Sequence, residues 1–171
     1  MSAWKRMAAG AATGALVVGM AAGPAGAAPA PAPDAAWTVA APGGDGPVAV
    51  VRHHAGGTVS LAVTRGGRTV LEPSPVGIVT EQVDLSTGLR PVGRSSRRVV
   101  ERYVTTVGKR LARRTVMTET RFAFSGAGNA RVDLVVRVSR DGVAYRYVLP
   151  DNRGAVLREA SAFTVPADSP A

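Results

Sequence analysis

Apolar and polar residues alternate with a period of two along most of the chain beyond Trp37. Thr58 to Thr64 places Val59, Leu61 and Val63 on one face and Thr58, Ser60, Ala62 and Thr64 on the other, the pattern of a half-buried strand. Gly66-Gly67 then predicts a two-residue hairpin turn into Thr69-Val70-Leu71. Thr115 to Phe124 alternates with Val116, Thr118, Thr120, Phe122 and Phe124 in step, and the Ser125–Asn129 linker leads into Arg131–Val138. There Val132, Leu134, Val136 and Val138 share a face, opposite Asp133 and Arg137. Arg137 to Pro150 reads as the second half of a hairpin: a strand, a turn containing Gly142, then β-branched and aromatic residues stopped by Pro150. Further strands are predicted at Trp37–Ala41, Val48–His53, Ile78–Val83, Val99–Thr106 and Leu157–Val165.

No window sustains a helical period for three turns, and around Val104–Leu111 Gly108 and β-branched neighbours oppose one. Roughly eight to ten short strands separated by Gly, Pro and Asp turns predict an all-β fold, an antiparallel β-sandwich. Residues 1–27 stand apart. Lys5 and Arg6 precede an uncharged run from Met7 to Ala22, and Ala25-Gly26-Ala27 offers small residues for cleavage between Ala27 and Ala28. The run is shorter than the roughly 20 apolar residues of a membrane span. The expectation is a signal peptide and a secreted, extracellular or periplasmic product with no membrane span after its removal. A Pro/Ala-rich leader (28–36) follows, then the sandwich (37–166) and a short tail (167–171).

The chain has no cysteine, which for an exported protein excludes disulfides and thiolate metal sites. Setting Lys5 and Arg6 aside with the leader, the charge is concentrated in Arg90–Arg121, where Glu101 and Glu119 are the only acids. Tyr103 is the only aromatic residue there, so a nucleic-acid surface is not expected, since it would interleave bases with stacking rings. Adjacent His53 and His54 point to opposite faces of a strand and do not form a metal pair. No Gly-x-Ser-x-Gly elbow is present. Arg146 lies between Tyr145 and Tyr147 and faces away from both; pairing with Asp133 or Asp141 is its expected role. Glu72, Glu81, Glu101, Glu119 and Glu159 are scattered carboxylates, none marked as an acid–base pair.

The run Arg137-Val138-Ser139-Arg140-Asp141-Gly142-Val143-Ala144-Tyr145-Arg146-Tyr147 resembles the hallmark of the N-terminal domain of glycoside hydrolase family 97. Trp37-Thr38-Val39 with Pro42, Leu71-Glu72-Pro73-Ser74-Pro75-Val76-Gly77-Ile78, and Tyr103 with Gly108-Lys109 are similar to further motifs of that family, in order. The chain departs from it at Ala41-Pro42-Gly43-Gly44, at Val76 where Leu is usual, and at Thr118, where an Asn precedes the Glu. The likeness runs from about Trp37 to Pro166. It implies a supersandwich-like domain, incomplete in this chain, that packs on a (β/α)8 barrel bearing the catalytic residues of an α-glucosidase or α-galactosidase. No catalytic residue is then expected in this chain, which alone should be inactive. The partners implied are the missing barrel and, in the whole enzyme, an α-linked oligosaccharide.

The resemblance also implies calcium, with Glu159, in Leu157-Arg158-Glu159-Ala160-Ser161-Ala162-Phe163, as one ligand of a partial site. Calcium takes six to eight oxygens, so one glutamate cannot hold it alone. The alternative is a free-standing secreted carbohydrate-binding sandwich. The scarcity of aromatic residues for sugar stacking weighs against it.

Overall fold

The computed structural model describes residues 34–106 and 111–169; the expected signal peptide, its cleavage site and Gly108-Lys109 lie outside them. β1 (Ala35–Ala40), β2 (Pro47–His53), β3 (Val59–Arg65) and β4 (Arg68–Val76) form an antiparallel meander in the order β1-β2-β3-β4. Two short strands follow, β5 (Ile78–Thr80) and β6 (Asp84–Leu85). β7 (Arg90–Val104), β8 (Ala112–Ser125), β9 (Arg131–Ser139) and β10 (Val143–Val148) make the second sheet, ordered β10-β9-β8-β7. β11 (Val156–Glu159) pairs with β5 and completes a three-stranded sheet, β11-β5-β6. The expected antiparallel sandwich is the observed fold.

The alternating pattern builds the core directly. Val39, Val51 and Leu61 from the first sheet meet Phe122, Phe124, Leu134, Val136 and Val138 from the second, while Ile78, Leu85 and Leu89 close the cluster. Half-buried Trp37 lies against Phe122, with ring centroids 5.5 Å apart. Gly66 (φ +57°) and Gly67 (φ +77°) make the tight β3–β4 turn, between paired Arg65 and Arg68, because that turn needs positive φ at both positions. Gly57 is required for a second reason. At φ +74° its absent Cβ would lie 2.6 Å from the Leu89 nitrogen. The close approach lets the Leu89 N–H donate to the Gly57 carbonyl at 2.9 Å. His53 Nε2 lies 2.8 Å from the Leu89 carbonyl oxygen, so both backbone groups of this buried leucine are held.

Several strands end elsewhere than the pattern predicts. β5 stops at Thr80 instead of running to Val83, because Thr80 Oγ1 accepts the N–H groups of Gln82 and Val83 and turns the chain. β7 begins at Arg90, well before Val99. Its first half, Arg90 to Arg98, has no apolar alternation and becomes a strand by pairing with β8. β11 covers only Val156–Glu159 of the segment expected to run to Val165. The rest continues as a strap antiparallel to Gly77–Glu72, held where Ala160 and Ala162 donate to the Gly77 and Pro75 carbonyls at 2.9 and 3.1 Å and Glu72 donates to the Thr164 carbonyl at 2.8 Å.

Candidate functional site

Glu159, the last residue of β11 before the strap, meets the middle of β10. On β10, Val143, Tyr145 and Tyr147 are registered with Val138, Val136 and Leu134, so both tyrosines extend the core-facing side of the second sheet. The Tyr145 hydroxyl donates to Glu159 Oε1 at 3.0 Å, and the Tyr147 and Ser161 hydroxyls are 2.8 Å apart. The two tyrosine rings meet edge-on at 5.7 Å, and Phe163 lies 6.2 Å from Tyr145. Burial is the main reason that both phenols are held above their ordinary range, Tyr147 more strongly. Along β11 and the strap Val156, Leu157, Phe163 and Val165 are exposed, each by half or more. This segment, the shelf, therefore carries exposed apolar side chains on either side of Glu159 in the chain.

Glu159 offers hard oxygen donors suited to calcium, but no group of three or more Asp, Glu, His or Cys residues that could hold a metal exists among the described residues. The residues present fit calcium as a single contributed ligand, not as a complete site. The two histidines are separated as the strand period requires. His53 is buried and stacked on Phe124, whereas His54 Nε2 lies 2.9 Å from the Ser60 hydroxyl.

Asp133 does not pair with Arg146. Fully buried on the outer face of the second sheet, it forms its ion pair with Arg121 of the neighbouring strand. Asp141 is also not Arg146's partner. It sits in the β9–β10 turn, where its backbone N–H donates to Ser139 Oγ. Arg146 stands exposed and lines an outer cleft of about 390 Å³ with Arg97, Glu119, Arg121 and Val148. Strand alternation places Arg146 on the outer face, but Arg121 and Arg146 are equally diagonal to Asp133 across β9. Sequence spacing alone could not choose between them.

The same face carries a row that the sequence did not mark: Arg97, Glu119 and Arg137 stand in register across β7, β8 and β9. Arg97 Nε and Arg137 Nε each donate to Glu119 at 2.6 Å, and Arg137 also reaches Glu101 at 2.7 Å. The hydrogen bond from Arg97 leads in holding the Glu119 carboxyl below its ordinary range, with Arg137 adding to it against desolvation. Asp84 is likewise lowered, by the Ser86 hydroxyl and then its backbone N–H. A general acid needs the opposite displacement.

The described residues thus form an antiparallel sandwich whose C-terminal segment holds Glu159 against Tyr145. Residues 39–171 match the family described as glycosyl-hydrolase 97 N-terminal, and the chain belongs to that family. It is 60% identical over 146 residues to a protein of Streptomyces bingchenggensis (strain BCW-1) named "Probable retaining alpha-galactosidase", a match covering 84% of this chain and 23% of that protein. Among solved structures, a beta-arabinopyranosidase superposes with TM-score 0.70 at 25% identity, over 76% of this chain and 21% of that one. A family 97 enzyme from Pseudoalteromonas sp. strain K8, in complex with panose, superposes with TM-score 0.66 at 17% identity, over 77% and 20%. The chain thus spans about a quarter of the length of the relative it matches.

Proposed function

We propose that this chain is the non-catalytic N-terminal sandwich of a secreted, retaining α-galactosidase. Its shelf packs against a (β/α)8 barrel that supplies the reacting carboxylates. The observation that carries this reading is the exposed apolar shelf of Val156, Leu157, Phe163 and Val165 on either side of Glu159 in the chain, in a chain that belongs to this family and is 60% identical to a protein so named. Burying four large side chains of this kind would contribute several kcal/mol to domain docking, at about 25 cal/mol per Å².

In this arrangement β11 brings the Glu159 carboxylate to the domain boundary, and Tyr145 fixes its orientation by donating to Oε1. Glu159 is then one ligand of a calcium ion whose remaining oxygens come from the barrel. Bound there, the ion would supply fixed positive charge to orient sugar oxygens. Tyr147 and Ser161 hold the strap that follows the ligand, and Phe163 excludes water beside it.

Two measurements test the reading on the polypeptide extended through the barrel. Calorimetry should show calcium affinity falling at least tenfold in Glu159→Ala; unchanged affinity removes Glu159 from the site. The extended polypeptide should hydrolyse an aryl α-galactoside, whereas the 171-residue chain should not. Hydrolysis by the chain unaided would overturn the supporting role.

A further inference from the structure

The β7–β8 hairpin outruns the sheet it belongs to. β8 pairs with β9 only from Met117 to Ser125, whereas its pairing with β7 continues to Ala112 and Val104. Beyond Met117 the hairpin is therefore a two-stranded arm. The register divides its side chains cleanly. Arg97, Glu119, Val99, Met117, Glu101 and Thr115 take one face, and Arg98, Thr118, Val100, Val116, Arg102 and Arg114 take the other. On the first face Glu119 and Glu101 pair with Arg97 and Arg137, and Arg113, opposite Tyr103, makes no ion pair among the described residues.

The second face has no carboxylate on either strand. Arg102 and Arg114 stand directly opposite one another on the arm, and Arg98 and Arg94, opposite Thr118 and Phe122, extend the same face back onto the sheet at four-residue steps along β7, all exposed. None of the four makes an ion pair among the described residues. Like charges directly opposite one another destabilise a sheet. Charge on an edge strand also deters strand-to-strand aggregation, which bears on β7 but not on Arg114 of the inner strand β8. It does not account for the facing Arg102–Arg114 pair.

We propose that this arm face binds an acidic polysaccharide, a linear glycan bearing carboxylates, laid along β7. Dimensions favour a linear polymer over a protein. From Arg94 to Arg102 the stripe runs about 26 Å and is about two strands wide, roughly 250 Å², far below the roughly 800 Å² per partner of a stable protein interface. The valines are interrupted by arginines, so no continuous apolar centre forms. Nucleic acid is disfavoured because Tyr103, paired with Arg113, is on the other face and leaves bases nothing to stack on, whereas a glycan bearing carboxylates is held through its charge and needs no stacking ring. Guanidinium groups can take carboxylates bidentately, and on the far side of β7, an edge of its sheet, backbone groups are open to sugar hydroxyls.

The experiment is affinity electrophoresis and calorimetry of the 171-residue chain with polygalacturonate, dextran and poly-glutamate as probes. Polygalacturonate should bind, weaken steeply with added salt, and lose at least tenfold in affinity in Arg98→Ala/Arg102→Ala/Arg114→Ala. Arg65→Ala/Arg68→Ala/Arg140→Ala removes the same charge at exposed turns elsewhere and should change affinity less than twofold. Arg98→Lys/Arg102→Lys/Arg114→Lys, which keeps the charge but not the bidentate fork, should bind more weakly than the wild type and more tightly than the triple Ala variant at these positions; binding as weak as in that Ala variant would overturn a charge-held glycan. Equal loss in both triple Ala variants would reduce the effect to net charge and overturn the site. Equal or tighter binding of poly-glutamate would assign the face to an acidic protein instead. Equal binding of dextran, or no binding of polygalacturonate, also overturns the proposal.

Discussion

Glu119→Gln tests the central electrostatic feature of the second sheet. The carboxylate accepts one hydrogen bond each from Arg97 Nε and Arg137 Nε at 2.6 Å, and its side chain is only 8% exposed. Charge-assisted hydrogen bonds contribute about 1.5–3 kcal/mol each. The two here are unequal. The Arg97 side chain is 68% exposed and the Arg137 side chain 28%, so screening by water reduces the Arg97 share to a few tenths. The row also lies on an outer face, with solvent a few ångströms away. Glutamine keeps the size and one acceptor, so the expected cost at neutral pH is about 2 kcal/mol, below the roughly 3–5 kcal/mol of a fully enclosed broken pair. For a domain of this size that corresponds to about 6–8 °C in Tm.

The pH dependence gives the sharper test. Glu119 is held below its ordinary value of 4.5 when folded, so its stabilising contribution is fully present above that value. It is lost as pH falls through the lower folded value. Wild-type stability from urea denaturation should therefore drop in that acidic window, and the Glu119→Gln variant should drop less, so that the two curves converge. Glu101→Gln, whose side chain is 46% exposed, should cost about 0.5 kcal/mol or less. A Glu119→Gln substitution that costs nothing at neutral pH, or that costs the same in strong acid as at neutral pH, would refute this account of the row.

Phe122→Ala should cost about 3–5 kcal/mol in denaturant titrations, since the ring is buried and carries Trp37 against it; a cost under about 1 kcal/mol would mean that the two sheets do not share this core. Gly57→Ala should lower Tm more than an alanine at exposed Gly66, although both have positive φ, because only Gly57 also places a Cβ 2.6 Å from backbone. Tyr147 should ionise well above a free phenol in ultraviolet titration, its proton held chiefly by burial; loss of the late-ionising signal in Tyr147→Phe identifies it.

The fold was legible wherever one strand face is buried and the other wet. β2, β3 and β8 follow the alternation because one face of each packs into the core, and β9 follows it although Asp133 and Val135 are buried on its outer face as well. Arg90–Arg98 was not legible as strand, since both of its faces are exposed and nothing selects for apolar residues there. The strap was half legible. Its apolar residues suggested a strand to Val165, but beyond Glu159 it is held by separate hydrogen bonds to Gly77 and Pro75 and, through Thr164 N–H, to Ser74 Oγ at 2.9 Å. These bonds fall at alternate residues, as a strand's would, but Pro73 and Pro75 opposite the strap have no N–H to complete a ladder. Glu159 was singled out from family motifs, whereas its Tyr145 partner could be found only from where β11 meets β10.

The arginines show why a charge count says little about this molecule. Arg97 and Arg98 are neighbours of identical chemistry, yet the strand period sends them to opposite sides. Arg97 meets Glu119, and Arg98 meets Thr118. Every acid of the Arg90–Arg121 segment, Glu101 and Glu119, falls on the Arg97 side. One register shift of β8 would exchange these fates, placing Glu119 among the valines of the core face and leaving the outer row repulsive. The buried Glu119 therefore contributes to the specificity of strand pairing as well as to stability. The unneutralised arginines on the other face are then a consequence of a register set by the core, available for an anion that the fold itself does not provide.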